Sequence, residues 1–167
     1  MNRTDDFKQG ARDRGLRFMA SLGVGLLPGP QGTYASLATC AAALAWLAAG
    51  GAPLAGPWYA ALVLAMSAAS VAVAQAAVKR RVFGQSEDPG QIVIDESAGQ
   101  LLALYGVAHP GWEMLAALAA FRFFDIAKPW PVNASQRLPG GWGVTADDFL
   151  AGLYALALVR LLASWLG

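Results

Sequence analysis

The stretch Pro57 to Val78, PWYAALVLAMSAASVAVAQAAV, carries no charge, and Lys79, Arg80 and Arg81 follow it at once. A helix needs about 20 mostly apolar residues to cross a bilayer, and a basic cluster just past its end marks the cytoplasmic side. The segment therefore reads as a membrane span that ends inside. Outward from it lie residues 34–49, also uncharged, and residues 149–166, which carry only Arg160. Residues 112–127 carry Glu113, Arg122 and Asp125, and residues 98–108 become long enough to cross only when extended back through Ile92 to include Asp95 and Glu96. The expectation is an all-α, polytopic helical membrane protein with four to five membrane-embedded helices and an N-terminal interfacial helix. Residues 92–108 and 112–127 are left with two readings: full spans or a re-entrant pair.

Composition supports this class. Of 167 residues, 56% are hydrophobic and 14% charged, against about 25% charged in ordinary soluble domains. Mean hydropathy is +0.43. The length suits one domain over 1–167, with an amphipathic segment at 1–20 and a membrane-embedded core at 21–167. A net charge of +1 argues against nucleic acid as a partner. Cys40, the lone cysteine, excludes an internal disulfide and a thiolate metal cluster. The polar N-terminal stretch does not read as a signal peptide. There Thr4, Asp5 and Asp6 suit a helix start, with Phe7, Ala11, Phe18 and Met19 as the apolar positions.

Basic residues before residue 34 and after residue 78 place both regions in the cytoplasm. Threading the remaining segments alternately then brings Asp95, Glu96, Arg122, Asp125, Lys128, Asp147 and Asp148 to one depth, at the cytoplasmic ends of three helices. Arg160 falls deeper, where it snorkels or pairs with Glu113. His109 lies in a turn on the opposite side and Cys40 is a small core residue. Glu87 and Asp88, in a solvated loop, are not expected to be ligands.

Clustered carboxylates beside a bilayer stay ionised only with cations near them, because burial and like charge both raise their pKa. Asp95, Glu96, Asp125, Asp147 and Asp148 offer hard oxygen ligands, which suit Mg2+. Bland readings compete for some of them. Thr145 to Asp148 also matches a capping box, with Thr145 as N-cap, and Asp125 is spaced to pair with Arg122 or Lys128 along one helix. Arg122 and Lys128 either neutralise Asp125 or bind phosphate. Pro129 and Pro131 end that helix. Two glycine-rich stretches, one with Thr33 and Ser36 and one with Gly140, Gly141 and Gly143, precede helices on the same side and are candidate anion sites.

The motifs PGPQGTYASL, IVIDESAGQ, FRFFDIAKPWPV and LPGGWGVTADDFLAG, in this order over residues 22–155, resemble the phosphatidylglycerophosphatase A family. Matching positions are Gly32, Thr33, Ser36 and Leu37; Asp95, Glu96 and Gly99; Arg122, Asp125, Lys128, Pro129 and Pro131; and Gly140, Gly141, Gly143, Asp147, Asp148, Ala151 and Gly152. Gln31 stands where the family often has proline. The resemblance implies a bacterial inner-membrane enzyme of phospholipid biosynthesis. Its activity would be the Mg2+-dependent removal of phosphate from phosphatidylglycerophosphate, leaving phosphatidylglycerol, at an active site facing the cytoplasm. Asp95, Glu96, Asp125 and Lys128 are then the catalytic candidates, and Thr33, Ser36, Arg122, Lys128, Gly140 and Gly141 the substrate-binding ones. The nucleophile stays open between water activated at the cation and attack by Asp125 or Asp95. A small ion-coupled transporter, using the carboxylates as a cation site, is the rival reading.

Overall fold

A computed structural model describes residues 3–86 and 89–166, with side chains described from Gly10 onward. The expected helix start at Thr4–Asp6 falls within the first helix, while the side chains before Gly10, Phe7 among them, and residues Glu87 and Asp88 lie outside those described. Among the described residues the regular elements are helices: α1 (Arg3–Ser21), α2 (Gln31–Ala48), α3 (Gly56–Arg80), α4 (Ile94–Ala103), α5 (Trp112–Ala127), α6 (Val132–Ser135) and α7 (Gly141–Leu166), with a 3-10 turn at Val24–Leu26.

Among the described residues two helices, α3 and α7, are long and apolar enough to cross a membrane. That corrects the expected four to five. For α4 and α5 the reason is length. Helix α4 has ten residues, about 15 Å at 1.5 Å per residue. It stops at Leu104, and the chain turns through Gly106 (φ +92°). Helix α5 has 16 residues, about 24 Å, short of the ~30 Å hydrocarbon core. In each long helix only 22% of the most apolar window is buried within the protein, so most of that apolar surface faces outward.

Helix α7 is the packing axis, touching α3, α4, α5 and α6. Two glycine contacts let it approach its neighbours. A Cβ at Gly152 would lie 2.5 Å from the Gly99 carbonyl oxygen, and one at Gly99 would lie 2.6 Å from the Asp148 carbonyl oxygen. Gly141 meets α3 in the same way, 2.6 Å from the Gln75 nitrogen. The core around these crossings includes Tyr59, Leu104, Val107, Phe121 and Val159. Tyr59 donates its hydroxyl to the Leu101 carbonyl at 2.8 Å.

Helix α1 carries a different apolar stripe from the one expected. Leu16 and Ala20 are buried against Ala74, Ala77, Ile92 and Val144, while Phe18 and Met19 are exposed and Ala11 faces outward. Asp13 pairs with Arg80 at 3.1 Å, joining α1 to the basic end of α3. At the opposite end, Arg160 pairs with Glu113 and donates to the Gly106 carbonyl at 3.0 Å. The expected partner for Arg160 is thus present, and its guanidinium also anchors the turn after α4.

Candidate active site

The site is assembled on the short helix α4. Its start is tied to the end of α1, since the Val93 N–H donates to the Ala20 carbonyl at 2.9 Å. Asp95 and Glu96 fill the first turn, where the helix dipole favours negative charge. The Glu96 N–H donates to Asp95 Oδ1 at 3.1 Å. Gly99 lies one turn beyond Asp95, and Gly152 one turn beyond Asp148. The Gly99–Gly152 crossing therefore brings the two aspartates together a turn away from it. One carboxylate oxygen from each of Asp95, Glu96 and Asp148 falls within a mutual 4.8 Å.

The second part comes from α5. Arg122 Nη1 stands 2.7 Å from Asp125 Oδ2, and Lys128 Nζ stands 3.7 Å from Asp125 Oδ1. Arg122 Nη1 makes no well-directed hydrogen bond there, so the contact is a charge pair with donor capacity left over. Lys128 occupies the left-handed region at the end of α5 (φ +43°), just before Pro129, and pairs with Asp147. Gln136 donates to the same Asp147 oxygen at 3.0 Å. The third part is α2: a Cβ at Gly32 would collide with Glu96 Oε1 and lie 2.9 Å from Arg122 Nη1. Glycine there lets the first turn of α2 close over the cluster.

All four aspartates are buried, and Glu96 is partly so. Burial, then the charge of Glu96, push Asp95 well above the usual carboxylate range. Burial also raises Glu96. Burial alone would lower Lys128, but its contacts with Asp147 and Asp125 outweigh that and hold its pKa above the ordinary value.

The five predicted acids and both bases thus meet in one region, but in two groups. Asp95, Glu96 and Asp148 point their oxygens at each other, whereas Asp125 and Asp147 are held by Arg122 and Lys128. The capping box does not form. Helix α7 begins at Gly141, so Thr145 is internal, and its hydroxyl meets that of Ser70 at 2.9 Å. Thr33 sits in the first turn of α2. Ser36 lies one turn deeper, buried, donating to the Gly32 carbonyl at 2.9 Å. The Gly141 N–H is donated to Gln75 Oε1 at 2.7 Å, and Gly140 (φ +60°) makes the turn before it. Both glycines thus have packing roles against α3. His109 is exposed in the turn after α4, away from the carboxylates. Sequence reasoning missed Gln75 and Gln136, which carry no signal until α3, α6 and α7 are packed.

An apolar groove of about 510 Å3 runs between α2 and α3, lined by Ala35, Ala38, Ala42, Trp46 and Trp58, with Ser97 of α4 in its wall. Ala35 and Ser97 in its wall are the sequence neighbours of Ser36 and Glu96.

A family model described as Phosphatidylglycerophosphatase A matches residues 18–163. The chain belongs to the phosphatidylglycerophosphatase A family. Similar proteins include the phosphatidylglycerophosphatases A of Haemophilus influenzae, 41% identical over 47% of this chain and 50% of the relative, and of Escherichia coli, 35% identical over 43% of each. A Bacteroides thetaiotaomicron protein, provisionally named a phosphatidylinositol-3-phosphatase, is 42% identical over 47% of this chain and 51% of its own length. The chain spans about half the length of the curated relatives it matches. No solved structure matches it. These comparisons lend no support to the transporter reading.

Proposed function

We propose that this protein is a Mg2+-dependent lipid phosphatase that converts phosphatidylglycerophosphate to phosphatidylglycerol and inorganic phosphate at the cytoplasmic face of the bacterial inner membrane. The observation that carries the reading is the Asp95, Glu96 and Asp148 triad, with carboxylate oxygens within 4.8 Å of one another and two cations beside it.

The donor set fits magnesium. It consists of hard oxygens, and Glu96 Oε2 and Asp148 Oδ1 are buried without partners among the described residues. Asp95, Glu96 and Asp148 would hold the ion. Bound there, magnesium would polarise the phosphoryl oxygens and offset their charge. Arg122 and Lys128 would bind the remaining phosphoryl oxygens and stabilise charge on the transferring group. Asp125 fixes both cations. Its two oxygens each face one of them, which weakens it as a nucleophile and favours attack by water. One carboxylate of the cluster takes the proton of that water as its oxygen bonds to phosphorus, the bond from phosphorus to the lipid head-group oxygen breaks, and that oxygen leaves as the alcohol with a proton returned from the carboxyl group.

Lipid access follows from the surroundings. The groove between α2 and α3 is apolar and has Ser97, next in sequence to Glu96, in its wall, which suits an acyl chain. Asp13 ties α1 to Arg80, and Ala20 ties α1 to the start of α4. The basic residues and the carboxylates therefore share one end of the molecule, which supports a cytoplasm-facing site.

The test is phosphate release by the purified chain in vesicles with Mg2+, offered phosphatidylglycerophosphate and phosphatidylinositol-3-phosphate in parallel. Release from the first supports the proposal. Release from the second alone reassigns the head group. A folded protein that releases phosphate from neither, at any Mg2+ concentration, refutes it.

A further inference from the structure

Gln100 is fully buried, yet neither its Oε1 nor its Nε2 has a partner among the described residues. Buried carboxamides are nearly always paired, because an unpaired one forfeits its hydrogen bonds to water. An apolar side chain of similar shape would pack at this position without that cost. Something else must account for glutamine here.

Its place in the fold gives the account. Helices α2 and α4 run parallel. Their first turns meet where Gly32 abuts Glu96, and the segments beyond their far ends pair through Leu54 and Val107. One helical turn deeper, each helix carries a fully buried polar side chain: Ser36 four residues after Gly32, and Gln100 four residues after Glu96. Residues four apart share a helix face, so Gln100 lies on the Glu96 face of α4. The Ser36 hydroxyl is satisfied within its own helix. Gln100 is not, and neither is Glu96 Oε2, one turn above it.

We propose that Gln100 is a positioning residue of the cation site, forming its inner wall. Its Oε1 accepts hydrogen bonds from the hydration shell of a divalent cation held by Glu96, and its Nε2 donates to the free Glu96 oxygen once that carboxylate is engaged. This rests on the reading of the carboxylates as a divalent-cation site.

The test uses the full chain in detergent, with Mn2+ or Mg2+ alone as the probe and thermal unfolding as the readout. Two variants are compared with wild type. Gln100→Met removes both unpaired polar atoms, so its metal-free Tm should exceed that of wild type. The cation concentration giving its half-maximal Tm increase should rise about tenfold or more, the usual consequence of losing a partner behind the ligands. Gln100→Glu adds a carboxylate beside the cation, so its metal-free Tm should fall and its half-maximal cation concentration should fall below that of wild type. A purely structural glutamine predicts a Gln100→Met protein with wild-type cation affinity, and that result overturns the proposal. If Gln100→Met fails to fold, Gln100→Glu decides alone: a Mn2+ affinity and electron paramagnetic resonance spectrum identical to wild type would overturn it. The two levels fail differently. A wild-type protein with no cation-dependent Tm shift removes the cation site itself, whereas a shift identical in wild type and Gln100→Met removes only the role of Gln100.

Discussion

Replacing Gly99 with alanine tests how the site is held together. A Cβ there would lie 2.6 Å from the Asp148 carbonyl oxygen and 2.6 Å from Phe121 Cε2. Ordinary contact begins near 3.4 Å, so the crossing of α4 and α7 must open by about 0.8 Å. Rotating the Phe121 ring relieves one clash. The other is with backbone, which only a helix displacement can relieve. Overpacking of this kind costs about 1–3 kcal/mol. The larger effect is on the site, because Asp95 and Asp148 each sit one turn from the crossing and separate with it. Misplacement by about 1 Å costs on the order of 100-fold in rate. Gly99→Ala should therefore keep its helical circular dichroism, lose a modest amount of thermal stability and lose phosphatase activity on the order of 100-fold. Gly152→Ala places its Cβ 2.5 Å from the Gly99 carbonyl oxygen and strains the same crossing. The double variant should accordingly lose less than the product of the single losses. A Gly99→Ala protein with full activity and unchanged cation affinity would refute the claim that this crossing sets the carboxylate spacing.

Three further outcomes are expected. Asp95→Asn should abolish turnover in the phosphate-release assay while raising the metal-free Tm, since it relieves a buried carboxylate of its charged neighbours; full activity would remove Asp95 from the site. Lys128→Gln should destabilise the metal-free protein by about 1–3 kcal/mol by leaving Asp147 without its cation. Because the folded pKa of Lys128 is raised, its contribution is fully present below the unfolded value of about 10.4 and fades as pH rises through the folded value. The Tm difference from wild type should thus be constant at neutral pH and shrink in strong alkali. Arg160→Met should cost about 1 kcal/mol of stability by unpairing a partly exposed Glu113, with activity per folded molecule unchanged; a large activity loss at unchanged Tm would show that the far end communicates with the site.

The elements that could be read from sequence are those whose signal is local. Residues 57–78 announce α3 through an uninterrupted apolar run stopped by the basic triplet, and residues 112–127 announce α5 through the apolar run between Glu113 and Arg122, stopped by Pro129. Chemistry was legible for the same reason: Asp95, Glu96, Arg122 and Lys128 are conspicuous because charge is rare in this chain. Even the Arg160–Glu113 pair was one of the two readings that counting charges left for Arg160, the other being snorkelling.

What sequence left undecided depends on helix ends and on contacts between helices. Hydropathy treats residues 92–108 as one run, but Gly106 turns the backbone and Val107 bridges to Leu54, so α4 stays too short to cross. The Thr145 box fails because α7 begins four residues earlier, at Gly141, anchored by Gln75 on another helix. Nor does composition say which acids face one another. The crossing at Gly99 and Gly152 turns Asp95, Glu96 and Asp148 together, while Asp125 and Asp147 remain with their cations. Sequence by itself determined which residue types this protein has and the approximate helical segments that carry them. Tertiary structure alone decided their grouping, because interhelical distance is set by which small residues meet at a crossing, and that is a property of pairs of helices, not of any one segment.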